Sequence, residues 1–113
     1  MIAYNVEPAE CDLVFTKGDT IDFSFDVELN DVAYDMTGMQ LDLHVKDCHG
    51  NLLRTFTSSG GSPEITILVA NYTVLASPNT KTGKFKYDLQ VTDGTHIATI
   101  QKGNWNVQGE VTT

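Results

Sequence analysis

Few residues in this chain have the chemistry for catalysis or metal binding. Three histidines (His44, His49, His96), two cysteines (Cys11, Cys48) and a row of carboxylates make up the inventory. Cys48 and His49 are adjacent and could share a transition metal, but two ligands fall short of the four that a structural zinc takes. The cysteines lack CxxC spacing, so neither a redox pair nor a metal site is expected. Covalent catalysis needs a Ser, Cys or Thr held beside a base that a third group orients. The chain has no G-x-S-x-G elbow, no HExxH and no phosphate-cradling loop, and its histidines fall on outward strand positions or in a turn. The sequence therefore predicts no enzyme, no cofactor and no metal. Acidic residues remain. Asp22 and Asp26 stand four apart on a predicted strand, roughly 13 Å at strand rise, too far for one calcium to bridge. Either could join Asp12, Asp42 or Asp47 across a ladder to form an oxygen-rich site. The competing reading is a solvated acidic face that discourages edge-to-edge association.

Strands must position these groups. Over residues 19–29 the odd positions Ile21, Phe23, Phe25, Val27 and Leu29 are apolar, and the even ones Thr20, Asp22, Ser24, Asp26 and Glu28 are polar. That alternation is the signature of a half-buried antiparallel strand. It returns at Met39, Leu41, Leu43 and Val45, at Phe85, Tyr87, Leu89 and Val91, and at Trp105, Val107 and Val111. Shorter strands are predicted over 12–16, 52–57, 64–69 and 96–101. Turn signals separate them: Lys17-Gly18-Asp19, Asn30-Asp31, Thr37-Gly38, His49-Gly50-Asn51, residues 58–63, Asp93-Gly94 and Lys102-Gly103. Gly18 and Gly38 suit turns that need a positive φ. Residues 70–76 place Val74 and Leu75 four and five after Ala70 and then meet Ser77-Pro78, which predicts one short crossover helix stopped by proline. The expected fold is all-β, an antiparallel sandwich of about seven to nine strands. Phe23, Phe25, Leu41, Leu43, Phe85, Tyr87, Leu89, Trp105 and Val107 should be largely buried, with Trp105 plugging the core.

With 113 residues the chain has the length of one domain spanning 1–113. Its 41% hydrophobic and 19% charged content excludes a disordered tail, and no apolar run reaches the roughly 20 residues of a membrane span. The start, Met1-Ile2-Ala3-Tyr4-Asn5-Val6-Glu7, lacks the basic residues and apolar stretch of a secretory signal. Two cysteines 37 apart are expected to be free thiols of a chain made in a reducing cytoplasm. Seven Lys and Arg against fifteen Asp and Glu give a net charge of −8, which argues against a nucleic-acid partner. The imbalance is uneven: residues 1–50 carry two basic and eleven acidic side chains, residues 51–113 five basic and four acidic.

The order of these pieces resembles a known family. Lys17-Gly18-Asp19-Thr20 leads into an alternating strand, and Tyr34-Asp35-Met36-Thr37-Gly38 precedes a second. Gly60-Gly61 and Ile65-Thr66-Ile67 come before the proline-stopped segment. Gly83-Lys84-Phe85-Lys86-Tyr87-Asp88-Leu89-Gln90, an Asp93-Gly94 hairpin, Gly103 and a strand ending Val111-Thr112 follow. This pattern is similar to the small immunoglobulin-like β-sandwich modules of tailed-bacteriophage virion proteins, such as the N-terminal domain of the upper baseplate protein. The resemblance implies a non-enzymatic virion structural protein made in the host bacterial cytoplasm. It would be an adaptor, decoration or baseplate/tail accessory subunit. Its partners would be major capsid, portal/neck or tail proteins and copies of itself, with no nucleic acid and no membrane. Strand parity turns Asp22, Asp26 and Glu28 outward on one strand and Lys84 and Lys86 outward on another, next to Lys81; these six are the candidate interaction residues. The rival reading is a carbohydrate- or receptor-binding module for host attachment, which would need exposed aromatics such as Tyr4, Tyr34 or Tyr72.

Overall fold

Period-2 patterning decides the architecture. The computed structural model describes residues 9–29 and 32–109. Tyr4 and the rest of the N-terminal segment, the Asn30-Asp31 turn and the Glu110-Val111-Thr112 end lie outside the described residues. In chain order the strands are β1 (Ala9–Glu10), β2 (Leu13–Thr16), β3 (Ile21–Asp26), β4 (Glu28–Leu29), β5 (Val32–Ala33) and β6 (Gln40–Lys46). They continue with β7 (Leu52–Thr57), β8 (Ile65–Leu68), β9 (Asn71–Ala76), β10 (Gly83–Thr92) and β11 (Ile97–Gln108). A six-stranded sheet runs β1-β11-β10-β6-β7, with β2 also on β11, and a three-stranded sheet runs β3-β9-β8. β4 and β5 form a small separate ribbon. The fold is all-β, as expected, and the described residues contain no helix.

The predicted crossover helix is therefore corrected to a strand. Residues 71–76 form β9, the centre of the three-stranded sheet. Tyr72, Val74 and Ala76 are buried while Leu75 is exposed, so the apolar residues obey period 2 across two faces. The expected single strand over 19–29 also divides. At Val27 the backbone leaves β3: its N–H donates to the Ala70 carbonyl and its carbonyl accepts from Tyr34 N–H. Glu28 consequently belongs to the ribbon. The strand expected over 96–101 and the alternation at Trp105 and Val107 belong instead to one strand, β11, which runs through the expected Lys102-Gly103 turn. Leu89 pairs with Gln101 but Gln90 with Thr99, so Ile100 is the extra residue of a bulge on β11. A bulge reverses parity, which is why Ile100 and Gln101 are both buried.

The two sheets face each other across one core in which Leu41, Leu43, Val45, Phe56, Leu89 and Val91 meet Ile21, Ile65, Tyr72 and Val74. Trp105, 1% exposed, sits among Phe15 at 4.4 Å, Phe56 at 5.7 Å and Tyr87 at 5.9 Å between ring centroids, as expected of the core plug. Phe23, Phe25 and Phe85 are only half-buried, against expectation. β3 is the outer strand of the narrower sheet, so its two rings pack at the rim of the core, Phe23 lying 5.8 Å from Phe25, 5.9 Å from Phe15 and 6.1 Å from Trp105. Gly18 and Gly38 take φ of 91° and 79°, as their turns require.

A polar chain crosses this core. Tyr72 Oη donates to Gln101 Oε1 at 2.7 Å, and Gln101 Nε2 donates to Tyr87 Oη at 3.0 Å. Tyr87 Oη in turn donates to the Cys11 carbonyl. The run ties the three-stranded sheet to β11, to β10 and to the first segment of the chain. Burial pushes the Tyr72 hydroxyl well up, and the Tyr87 hydroxyl up to about 12. Gly103 makes the last contact possible, because a Cβ there would overlap the Cys11 carbonyl. Cys11 N–H bonds the Lys102 carbonyl, and Asp12 Oδ1 accepts from Asn104 N–H at 3.0 Å.

Candidate interaction surface

The outward faces of the two sheets differ in charge. Every lysine and arginine that lies within a strand is on the six-stranded sheet: Lys46, Lys84, Lys86 and Lys102 outward, and Arg54 on the inner side, opposite Val45 and over Phe56. None lies on β3, β8 or β9. Asp22 and Asp26 are both exposed on β3, as parity predicts. Asn71 Nδ2 donates to Asp26 Oδ1 at 2.9 Å, and Asp22 stands opposite Leu75, which is 58% exposed. With exposed Leu68 on β8, this face combines carboxylates with apolar side chains. Glu28 is exposed but on β4, away from this ladder.

Lys84 and Lys86 are exposed on β10, on the opposite side of the molecule. Lys86 stands directly across from Lys46 in the β10–β6 register. Like charges in that position destabilise a sheet, and Lys86 Nζ turns instead to Asn104 Oδ1 at 3.2 Å. Lys81, also exposed, is in the 77–82 connection that enters β10 at the same end. Further along the face the charges are mixed: His44 Nδ1 lies 3.3 Å from Asp88 Oδ1, and Lys102 lies 3.9 Å from Glu10. The structure thus gathers Asp22 with Asp26 and Lys84 with Lys86 on opposite faces, and leaves Glu28 apart. Lys46 completes the cationic end, a residue that only the register identifies.

The oxygen-rich site considered from the sequence does not form, because Asp12, Asp42 and Asp47 belong to the six-stranded sheet or its turns while Asp22 and Asp26 lie outside it. Among the described residues no group of three His, Cys, Asp or Glu is placed to hold a metal ion. The Asp47 carboxylate beside Cys48 and His49 is occupied: Oδ1 accepts from His49 N–H and Asn51 N–H, both at 2.9 Å, which holds its carboxyl below the usual range. Both cysteines are free thiols, Cys11 half-buried and Cys48 exposed. Tyr72 is fully buried and Tyr34 half-buried, so neither offers the open ring that glycan stacking needs.

Concavities accompany these faces. An apolar groove of about 580 Å³ runs beside β8, lined by Met36, Met39, Pro63, Ile67 and Val69. A smaller one of about 150 Å³ opens at the cationic end between Arg54, Asn79, Lys81, Phe85 and Trp105. Among the described residues no helix is long and apolar enough to cross a membrane. Compared with known proteins, the chain matches no family model and no curated sequence.

Proposed function

We propose that this chain is a non-enzymatic structural subunit of a tailed-bacteriophage particle, made in the host cytoplasm. It would serve as an adaptor, decoration or baseplate/tail accessory module that docks in several copies onto other virion proteins. The observation that carries this reading is the one-sided placement of cations: β3-β9-β8 carry Asp22, Asp26 and exposed apolar groups but no Lys or Arg, and every cation within a strand is on the other sheet, alongside Glu10, Asp42 and Asp88. A subunit with unlike faces suits a heterologous contact, which closes into a ring or follows a lattice. Exposed ion pairs contribute about 0–1 kcal/mol each, so apolar contact and multiplicity supply affinity while charge sets register.

The finer fold assignment, an immunoglobulin-like sandwich, is part of the same proposal. Its support is the strand plan. Two early strands pair in parallel with β11, the next long strand crosses to the smaller sheet, and the order β11-β10-β6-β7 against β3-β9-β8 matches G-F-C-C′ against B-E-D of that fold. The departure is the tryptophan, which here is on the last strand instead of the third.

The test is incorporation. In particles assembled with D22K/D26K chain, the subunit should be lost from the purified virion, while the isolated variant melts within a few degrees of the parent. The parent should wash off progressively as salt rises. Normal incorporation of the double variant at physiological salt would remove the acidic face from the mechanism, and absence of the chain from purified particles would end the virion reading.

A further inference from the structure

The small cavity at the cationic end has the composition of a binding site. The Trp105 indole donates Nε1–H to Asn79 Oδ1 at 3.1 Å. An indole nitrogen can only donate, so this bond fixes the amide orientation and turns the NH2 group away from the ring. Asn79 is 8% exposed, and its Nδ2 has no acceptor among the described residues. Buried amide donors are rarely left in that state.

The lining supplies what such a donor lacks in charge and contact. Arg54 is held in place by bonds to Ser77 Oγ at 2.7 Å and the Pro78 carbonyl at 3.3 Å and by stacking 4.5 Å over Phe56. Those two bonds use only part of a guanidinium's five donors. Lys81 lines the cavity from the exposed connection, Phe85 and Trp105 provide apolar wall, and no carboxylate lines it; Glu64, the acid whose field reaches Arg54, is outside. The volume of about 150 Å³ is room for about five waters at ~30 Å³ each, or for a carboxylate with a short aliphatic stem.

We propose that this cavity binds a carboxylate group, one oxygen accepting from Asn79 Nδ2, with Lys81 and Arg54 balancing the charge and Phe85 and Trp105 against the stem. The group could belong to a free short-chain monocarboxylate or to an acidic side chain of a second copy of this chain. The site is independent of the virion reading: it concerns one pocket and is tested on the isolated protein.

Trp105 is the only tryptophan, so a ¹⁵N spectrum carries a single indole resonance to report on the cavity. Sodium propionate, added at constant ionic strength against sodium chloride, should shift that resonance and the Asn79 NH2 pair saturably. If the source is a second copy, the same resonances should move with protein concentration alone, and propionate should compete that change away. Asn79→Asp keeps an oxygen for the indole but removes the donor, and should weaken binding roughly tenfold or more. Lys81→Gln, at an exposed position, keeps the test valid if the first variant fails to fold; it should weaken binding roughly two- to fivefold. Resonances that follow neither propionate nor protein concentration would mean the cavity holds water only. That result, or unchanged affinity in Lys81→Gln together with a folded Asn79→Asp, overturns the proposal.

Discussion

Replacing Gln101 by Leu tests whether the buried polar chain acts as one unit. The side chain is 6% exposed and holds two hydroxyls: it accepts from Tyr72 and donates to Tyr87. Leucine fills a similar volume, so the loss is polar. Tyr87 Oη keeps the Cys11 carbonyl as acceptor, but Tyr72 Oη, in a side chain with no exposure, loses its partner. A buried orphan of this kind costs about 1–3 kcal/mol, so about 2–3 kcal/mol is expected in all. Tyr72→Phe alone orphans Gln101 Oε1 instead and should cost about 1–2 kcal/mol. In the double variant neither orphan exists, so the total should fall below that of Gln101→Leu alone, to about 1–2 kcal/mol, a coupling of about 2 kcal/mol. Urea unfolding followed by Trp105 fluorescence measures all four states, since that ring is buried 5.9 Å from Tyr87. Additive costs, within about 0.5 kcal/mol, would show that the three groups stabilise the sheets separately and would refute the linked chain.

Two further predictions follow from the same region and from one turn. Gly103→Ala should cost roughly 1–3 kcal/mol, because its Cβ overlaps the Cys11 carbonyl. Hydrogen exchange at Cys11 and Asn104 should quicken there, while Gly61→Ala, with open space around it, should leave melting unchanged. Stability should also vary with pH at both extremes, as chemical denaturation across pH will measure. Tyr87 has a folded value raised from 10.0 to about 12, so its contribution is full below about pH 10 and is lost as pH rises through about 12. Asp93 accepts from Thr95 N–H and His96 N–H, both at 2.8 Å, and is lowered from 3.8 to about 2. Its contribution is present above about pH 4 and fades as pH falls through about 2; Asp93→Ala should flatten the acid limb.

The long alternating strands were legible because each residue's burial depends on its own parity. β3, β6 and β10 follow the sequence pattern residue by residue. β9 does not show itself as a strand in the sequence, because Val74 and Leu75 are adjacent apolar residues before a proline, which satisfies a helical template as readily as a strand with one outward leucine. Only the ladder to β3, pairing Phe23 with Val74 and Phe25 with Tyr72, separates the two. Half-burial of Phe23 and Phe25 was equally hidden, since parity gives a face but not how far the opposite sheet extends.

The site shows the same division. Outward Asp22, Asp26, Lys84 and Lys86 could be read from alternation, but that they occupy opposite sides depends on which sheet each strand joins. Gln101 and Asn79 carried no local signal. A glutamine inside a run of Ile100, Lys102 and Trp105 looks like a surface residue, and the bulge at Ile100 is what turns it inward toward Tyr72, 29 positions away. Asn79 follows Pro78 in what reads as an ordinary loop, and its meaning comes from the Trp105 indole 26 positions later. Both cases have one physical cause. Burial of a polar side chain is set by a partner distant in sequence, so the sheets must be assembled before the need for that partner can be seen. The charged faces have the opposite logic, because exposed side chains need no partner within the chain. Lys86 opposite Lys46 is where the two meet: a like-charge pair with no carboxylate ion-paired to it among the described residues is a cost to the isolated subunit. An acidic surface docked against β10 and β6 would offset it, which is the physical reason to look for the partner on that side.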